Sequence, residues 1–347
     1  MNASPRLKVP AEMLSKLSEF DEPLADALKR GEIFVGVGTP KTIVELYEVV
    51  TQAMLRTVMT HSDADTLLPT VLMAIFFEAH LTEQRVITTE HLDAAAGRLR
   101  KRTGGQLGDD GIRLIKERVL LNQMPLFSLL TAKPLTMRVA HLSFQEFYVA
   151  CAVRDHAWRL TIEPWKFSAF WANAVKMGGE MGELFAKGLL KAAGFGRTLD
   201  LDLKLGGHRV TVLVAIQQLI SGGLKRLSLR CSHLQSDGVA HVAEALKTNS
   251  TLHTLGLSNN GLCPDDGIAG GGLSVLGEAL ATNTTLRVLD LCSNGLGTKG
   301  WSTVFSALRD NKENKIESWN LSQEGIDVES SKLAEYVSVS TALTQLK

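Results

Sequence analysis

The sequence predicts an α + α/β protein, with a helical N-terminal half and a C-terminal half in which short strands alternate with helices. Three observations support this prediction. A leucine pattern recurs along residues 196–347, each copy is followed by apolar residues three and four positions apart, and residues 1–195 show helical spacing without the leucine pattern. Spacing of three and four residues is typical of one face of a helix. A fixed period of about 30 residues is typical of a solenoid.

The repeated phrase places leucines at steps 1, 4, 6 and 11. Step 9 holds Asn260 and Asn294 in the two clearest copies, and Ser232 and Glu324 in two altered ones. The copies begin at Leu224, Leu252, Leu286, Ile316 and Leu343, which are 28, 34, 30 and 27 residues apart. A degenerate first copy is predicted within 196–223.

Steps 4 and 6 lie on one side of a short strand, because strand side chains alternate. We therefore expect Leu255, Leu257, Leu289 and Leu291 to be buried between neighbouring copies and Asp290 to be exposed. The amide at step 9 is expected to bond backbone groups where the chain turns.

The N-terminal half is predicted to contain several helices. Pro10 precedes an apolar run that begins at Met13, which suits a helix start. A long helical face begins at Ile43, and two more helices are predicted within 64–103.

Several signals mark the connections between these helices. Thr88 or Thr89 is the predicted N-cap of the second helix in 64–103. Residues 104–111, which are rich in glycine, are predicted to be a loop. Aromatic residues within 156–195 are predicted to form a helical core.

Residues 127–132 and 137–140 are predicted to form a β-hairpin whose turn holds Pro134. A helical bundle that ends in a β-hairpin is a winged-helix pattern. Ser143 is predicted to cap the helix that follows, with Glu146 closing a capping box.

Residues 141–147, His-Leu-Ser-Phe-Gln-Glu-Phe, resemble the start of the helical domain that follows the winged helix in NACHT-type STAND regulators. This class includes the NOD-like receptors. Residues 7–10, 43–47 and 77–80 resemble other parts of the same architecture. The later copies resemble the ribonuclease-inhibitor type of leucine-rich repeat.

The resemblance implies four parts. These are a first helical domain at 1–62, a winged-helix-like domain at 63–142, a second helical domain at 143–195, and leucine-rich repeats at 196–347. The implied fold is a helical bundle with a winged-helix-like part, followed by an α/β leucine-rich-repeat solenoid.

The resemblance also implies an ATP/ADP switch in the full-length architecture. Pro10 matches a proline that packs near adenine, and His141 matches a histidine that contacts the ADP phosphate. The Walker A loop would lie before residue 1. Residues 36–42 do not supply one, because their spacing is wrong and Pro40 removes a backbone N–H. We expect no cofactor in this chain, and ATP or ADP only if a longer protein contains the missing domain.

Composition excludes several classes of function. The 37 basic residues balance 37 acidic ones, which predicts no nucleic-acid partner. No run of 18 apolar residues and no apolar signal region are present, so we expect no membrane span and a cytoplasmic location. The four cysteines form no Cys-x-x-Cys motif and no cluster with histidine, which indicates a reducing compartment and no zinc site.

We expect no enzymatic activity. Asp109 and Asp110 are interpreted as solvated turn residues, and Ser143 has no neighbouring base motif. The histidines lack the spacing of metal ligands.

The remaining candidate site is the concave face of the solenoid, formed by steps 3, 5 and 7 of each strand. We expect this face to bind protein partners. The predicted site residues are Asp200, Asp202, Arg226, Ser228, Arg230, Thr254, Ser258, Asp290, Cys292 and Asn320.

Two alternative functions use the same architecture. The first is a nucleotide-switched signalling NTPase whose P-loop domain lies outside this chain. The second is a Ran-type GTPase activator, which would need a catalytic arginine in a repeat loop and an acidic tail.

The copy that begins at Leu343 stops at Lys347 without a polar capping unit. An uncapped repeat leaves an apolar strand edge open. We therefore expect either further repeats in the native gene or self-association of this chain.

Overall fold

The computed structural model describes residues 11–20, 25–26, 29, 40–56, 67–103, 106–262, 271–321, 324, 326 and 331–347. Contacts divide the chain into two compact units. The first comprises Met1–Thr161 and Phe170–Phe185, and the second comprises Ile162–Ala169 and Ala186–Lys347. Helices occur in both units and a parallel sheet occurs in the second, which confirms the α + α/β prediction at this coarse level. None of the described helices is long and apolar enough to cross a membrane.

The first unit is mainly helical and carries one small antiparallel sheet in the order β1-β3-β2. Its elements are α1 (Ala11–Phe20), α2 (Ile43–Arg56), α3 (Leu68–Leu81), β1 (Val86–Thr88), α4 (Thr89–Thr103), α5 (Gln106–Leu120), β2 (Phe127–Ala132), β3 (Leu135–Val139), α6 (Leu142–Arg154) and α7 (Ala172–Glu180). The predicted hairpin is confirmed, with Phe127 opposite Val139.

Aromatic side chains from three helices form the centre of this unit. The Tyr47 ring on α2 lies 5.7 Å from both Phe144 and Phe147 on α6. Phe76 on α3 lies 5.3 Å from Tyr148. Edge-to-face and stacked rings at such distances add to the hydrophobic stabilisation of a core.

The loop prediction for residues 104–111 is wrong beyond residue 105, because α5 begins at Gln106. A Cβ atom on Gly111 would lie 2.4 Å from Cγ2 of Val71, so this glycine allows α5 to approach α3. Asp109 and Asp110 therefore lie in a helix. Acidic side chains near a helix N-terminus are favoured by the helix dipole.

The predicted capping box at Ser143 is also wrong. Helix α6 begins at Leu142, its N-cap is His141, and Ser143 is buried inside the first turn. The carboxylate of Glu146 instead accepts a hydrogen bond from Asn173 Nδ2 at 3.3 Å. Helix α4 begins at Thr89, so Thr88 directly precedes it, and the backbone N–H of Thr88 donates to His91 Nδ1 at 3.1 Å. The predicted capping role of Thr88 or Thr89 stays a prediction.

The second unit contains a six-stranded parallel sheet in the order β4-β5-β6-β7-β8-β9. Its elements after α8 (Glu183–Ala192), which crosses the unit boundary, are β4 (Thr198–Asp200), α9 (Arg209–Ser221), β5 (Arg226–Ser228), α10 (Gln235–Thr248), β6 (Thr254–Gly256), α11 (Gly271–Thr282), β7 (Val288–Asp290), α12 (Gly297–Asp310), β8 (Ser318–Trp319), α13 (Ser331–Val339) and β9 (Gln345–Leu346). Each strand lies at the strand steps of a predicted copy. Consecutive helices from α9 to α13 pack against one another.

The strands pair in step, so equivalent leucines meet. Leu227 pairs with Leu255, and Leu255 pairs with Leu289. All four leucines expected in the core are buried, with at most 3% of their surface exposed. Leu203, which continues the alternation after β4, is 74% exposed and has a φ of 57°, because the chain has already turned there.

The asparagines at step 9 form a polar seam behind the leucines, as predicted. The side-chain oxygen of Asn260 accepts hydrogen bonds from the backbone N–H groups of Ser232 and Leu234, at 2.9 and 3.2 Å. Its amide nitrogen donates to the carbonyl oxygens of Leu229 and Leu257, both at 2.8 Å. These bonds satisfy backbone groups that burial would otherwise leave unpaired.

The copies without asparagine satisfy the same positions differently. Ser232 donates from Oγ to the carbonyl oxygen of Arg230 at 3.2 Å. Glu324 accepts the backbone N–H of Ser293 at 2.6 Å and the indole N–H of Trp301 at 3.3 Å.

A second asparagine seam, which the sequence analysis did not identify, lies where the helices end. Asn249, Asn283 and Asn311 follow α10, α11 and α12. Asn283 donates from Nδ2 to the carbonyl oxygen of Asn249 at 3.1 Å, and Asn311 donates likewise to Asn283 at 2.8 Å. Side-chain amides therefore connect neighbouring copies at two places, at step 9 and where the helices end.

Candidate functional site: the outer face of the parallel sheet

The side chains predicted to form the site project from the parallel sheet in rows, because the strands pair in register. The first row holds Thr198, Arg226, Thr254, Val288 and Ser318. The second row holds Asp200, Ser228, Gly256 and Asp290. The third row holds Asp202, Arg230, Ser258 and Cys292. We call these rows together the outer face.

The third row stays in register beyond the strands. The backbone N–H of Leu203 donates to the carbonyl oxygen of Arg230 at 3.2 Å, and that of Cys231 donates to Ser258 at 3.1 Å. The parallel pairing therefore fixes the relative positions of these side chains even where no strand is assigned.

Arg230 is the most restrained cation on the outer face. Its Nε donates to Ser258 Oγ at 2.8 Å, and one terminal nitrogen lies 3.6 Å from an Asp290 carboxylate oxygen. Its backbone N–H donates to Asp202 Oδ1 at 2.8 Å. About half of the side chain, 54%, remains exposed. An arginine fixed in this way loses little conformational freedom on binding.

Asp202 bonds to two residues at or just after the end of β5, Ser228 and Arg230. The same oxygen, Oδ1, also accepts a hydrogen bond from Ser228 Oγ at 2.6 Å. The backbone N–H of Asp202 donates to Asp200 Oδ1 at 3.1 Å. The carbonyl oxygen of Asp200 in turn accepts from Lys204 Nζ at 2.7 Å.

Two site predictions need correction. Ser258, predicted to face solvent, is only 5% exposed, because the Arg230 side chain lies against its hydroxyl. Asp290, predicted to be exposed, is half-buried, because its carboxylate accepts the backbone N–H of Cys292 at 3.1 Å and pairs with Arg230.

Cys292 is a hydrogen-bonding residue here. Its thiol donates to the carbonyl oxygen of Asn320 on the next strand at 3.0 Å. Burial, together with the carboxylate of Asp290, raises the pKa of Cys292 to about 11. The thiolate is the nucleophilic form of cysteine, so this residue is a poor nucleophile at neutral pH.

A cavity of about 600 Å³ opens on the third row. Its lining brings together four predicted residues that are far apart in the sequence, Asp202, Arg230, Ser258 and Cys292. Hydroxyl, amide, thiol, carboxylate and guanidinium groups all line this cavity. The cavity therefore contains hydrogen-bond donors and acceptors, and it contains both a positive and a negative group.

Sequence reasoning missed the step-8 residues of this cavity, Cys231, Asn259 and Ser293. Each has a positive φ, between 52° and 57°, which turns the chain after the third row. Side chains other than glycine rarely adopt this conformation. The sequence signal was the small residue that recurs immediately before step 9.

The remaining predicted residues do not line the cavity. Arg226 is exposed in the first row, Thr254 is half-buried in the same row, and Asn320 is exposed beyond β8. His141 lies half-buried in the first unit, with its ring 5.9 Å from Phe144. Pro10 lies outside the described residues, so the predicted nucleotide contact by Pro10 and His141 stays a prediction.

Comparison with known proteins identifies no family. No protein-family model matches the chain, and no curated protein sequence matches it. Within the described part of the chain, no group of three or more histidine, cysteine, aspartate or glutamate residues could hold a metal ion. The outer face is thus described by its own chemistry, which is that of a mainly polar surface.

Proposed function

We propose that this chain is a non-enzymatic regulatory or scaffold protein that binds protein partners through the outer face. In this proposal the second unit is a leucine-rich-repeat solenoid and the outer face is its concave side. The observation that carries the proposal is the restrained Arg230 in the lining of a cavity whose residues are mostly polar. Arginine is among the residues that contribute most to protein–protein interfaces.

The extent of the outer face favours a macromolecular partner. Six parallel strands, about 4.8 Å apart, extend over roughly 24 Å from the first to the last. Side chains from β4, β5 and β7 contribute charges, whereas β6 contributes the hydroxyl of Thr254 and the small Gly256. A partner protein can cover such a surface, whereas a small ligand would contact only one cavity of it.

The order of elements supports the resemblance to the hinge and repeat parts of a NOD-like receptor. A three-stranded sheet with a hairpin comes directly before helix α6, and the strand–helix copies follow in the second unit. The proposal includes the cytoplasmic location expected for such a regulator.

Site-specific photo-crosslinking tests this function. A photo-reactive amino acid at position 254 on the outer face should capture a partner in cells that express the full chain. The same amino acid at the exposed position 274, on helix α11, is the matched control. The captured protein should then be purified and its affinity measured directly.

The affinity measurement decides the outcome. Arg230→Glu should weaken binding at least about tenfold, because it reverses a restrained interface charge. Lys299→Glu, on an exposed side chain of α12, should change the affinity less than about twofold. Equal crosslinking at positions 254 and 274, or equal effects of the two substitutions, would contradict the proposed function.

A further inference from the structure

We propose that the partner of the outer face carries an acidic polypeptide segment, and that this segment binds a row of cations at the strand starts. The inference rests on the proposed function and adds the chemistry of the partner. The cationic row consists of Arg197, Lys225 and Arg287, together with His253, which lies between Lys225 and Arg287; these residues come immediately before the first row of the outer face.

Backbone hydrogen bonds hold the cationic row in register. Lys225 donates its N–H to the carbonyl oxygen of Arg197 at 2.8 Å, and His253 donates to Lys225 at 2.8 Å. Arg287 donates to His253 at 2.9 Å. The four residues therefore lie at the starts of adjacent strands, about 4.8 Å apart. Arg226, one position further along β5, adds a cation beside the row.

The charge of this row is largely uncompensated. Arg197, Lys225 and Arg226 are exposed, and none of them forms an ion pair with a carboxylate of the described residues. Arg287 pairs with Glu317, at 2.9 Å, where the row ends. Like charges on adjacent strands repel one another, so the arrangement costs stability unless an anion lies over it.

Several cations on the helices of the same unit are paired, although Lys299 on α12 is exposed without such a partner in the described part of the chain. Lys247 lies 2.9 Å from both Glu244 and Glu278, and Asp237 receives two bonds from Arg209. The unit therefore provides carboxylates for Lys247 and Arg209, whereas the neighbouring cations Arg197, Lys225 and Arg226 have none among the described residues. This difference points to the strand starts as the anion-binding surface.

The surroundings of the row favour a polypeptide over a nucleic acid. Sites for single-stranded nucleic acids combine basic residues with aromatic side chains on which bases stack. The cationic row and the adjacent first row contain no Phe, Tyr or Trp, and the two rings beside Thr198, Trp165 and Phe195, pack against each other with their centres 5.0 Å apart. Aspartate and glutamate need only the charges and hydrogen-bond donors that Arg and Lys provide.

The length of the row sets the length of the segment. Four strands at about 4.8 Å span roughly 14 Å, which corresponds to about five residues of extended chain. Alternate residues of an extended chain lie on one side. The segment should therefore carry Asp or Glu at every second position, and its neighbouring residues should reach the outer face.

Fluorescence anisotropy with a labelled (Glu-Ser)5 peptide and the full chain tests the inference. The wild-type chain should bind this peptide, and added NaCl should weaken the binding, since exposed charges are screened by salt. Lys225→Glu with Arg226→Glu should weaken binding at least about tenfold, because four units of charge change beside the peptide. The control, Lys299→Glu with Lys101→Glu, makes the same change in net charge at two exposed helix positions outside the parallel sheet and should alter binding less than about twofold.

A second experiment, in which the charge of the peptide is reversed, distinguishes loss of the binding site from loss of folding. The Lys225→Glu, Arg226→Glu variant should acquire binding to a (Lys-Ser)5 peptide, which an unfolded chain would not do selectively. Equal weakening in both double variants, or no gain of (Lys-Ser)5 binding in a folded variant, would overturn the inference. Tighter binding of a uridine oligonucleotide than of (Glu-Ser)5, lost in the same variant, would also overturn it.

Failure of this inference can be told apart from failure of the proposed function. Suppose that a partner crosslinks at position 254 and binds the Lys225→Glu, Arg226→Glu variant with unchanged affinity. The outer face would then still be an interface, but the inference of an acidic segment would be rejected. Absence of crosslinking at position 254 would instead contradict the proposed function itself.

Discussion

The backbone N–H of Asn260 donates to the side-chain oxygen of Asn294 at 2.7 Å, although the two residues are 34 positions apart. Asn260 then uses its own side chain in the same way on the copy before it. Both side chains are buried, with at most 3% exposed. Each asparagine therefore completes the backbone bonding of its neighbour as well as its own turn.

Asn260→Ala should lower the free energy of unfolding by about 2–4 kcal/mol, because several buried backbone groups lose their partners. Urea denaturation of the two proteins measures the difference. Asn259→Ala, at the exposed neighbouring position, should cost no more than about 1 kcal/mol. A similar cost at both positions would show that the seam does not contribute specifically to stability.

Leu291→Ala should cost about 2–5 kcal/mol, since it opens a cavity among the stacked leucines. Leu291 is 1% exposed. The comparison is Leu203→Ala, at a position that continues the leucine alternation after β4 but is 74% exposed, where we expect less than about 0.5 kcal/mol. Thermal or urea unfolding of both variants checks the prediction, and an equal cost would argue against burial of Leu291.

Two glycine substitutions in neighbouring helices should have opposite effects. Gly111→Ala should destabilise by about 1–3 kcal/mol, because the new methyl group overlaps Val71. Gly97→Ala on α4 meets no atom within 4 Å and should stabilise by about 0.5–1 kcal/mol through helix propensity. Melting temperatures that move in the same direction for both variants would contradict the close approach of α5 and α3.

His80 should make the stability depend on pH. Burial lowers the pKa of His80 to about 3, and its ring lies 4.5 Å from Trp171 and 4.7 Å from Phe170. Gln145 Nε2 donates to its Nδ1 at 3.3 Å, which suits the neutral ring. Because the unfolded chain takes up this proton at a higher pH, stability is complete above about pH 6.5 and falls towards pH 3.

The His80→Gln variant isolates this effect. Between pH 7.5 and pH 5, the wild type should lose about 2 kcal/mol more stability than the variant. Other titrating groups cancel in the difference between the two proteins. Urea denaturation at the two pH values measures it, and parallel losses would show that His80 does not titrate as described.

The repeat pattern predicted the strands and their buried leucines, because both depend on local alternation along the chain. It could not predict that Ser258 is buried, since the covering group is Arg230, from the neighbouring strand. Residues 104–111 were misread for a related reason. Gly108 and Gly111 allow close approach to Leu99 on α4 and to Val71 on α3, which sequence spacing does not reveal.

The second asparagine seam was available in the sequence but was not recognised. Asn283 lies 34 residues after Asn249, and Asn311 lies 28 residues after Asn283. These positions fall outside the leucine phrase, so a search based on apolar spacing passes over them. The step-8 residues of the cavity were missed because their positive φ angles, rather than their hydropathy, bring them to the outer face.

The step-9 seam restricts how the chain can change in length. A side chain of one copy bonds the backbone of another, so removing half of a copy would leave donors and acceptors on both sides of the cut without partners. Removing or duplicating a whole copy would instead leave each step-9 side chain facing the equivalent backbone groups of the new neighbouring copy. Insertions should be accepted between the seam and the next helix start, as the unequal spacings of 28 and 34 residues already illustrate.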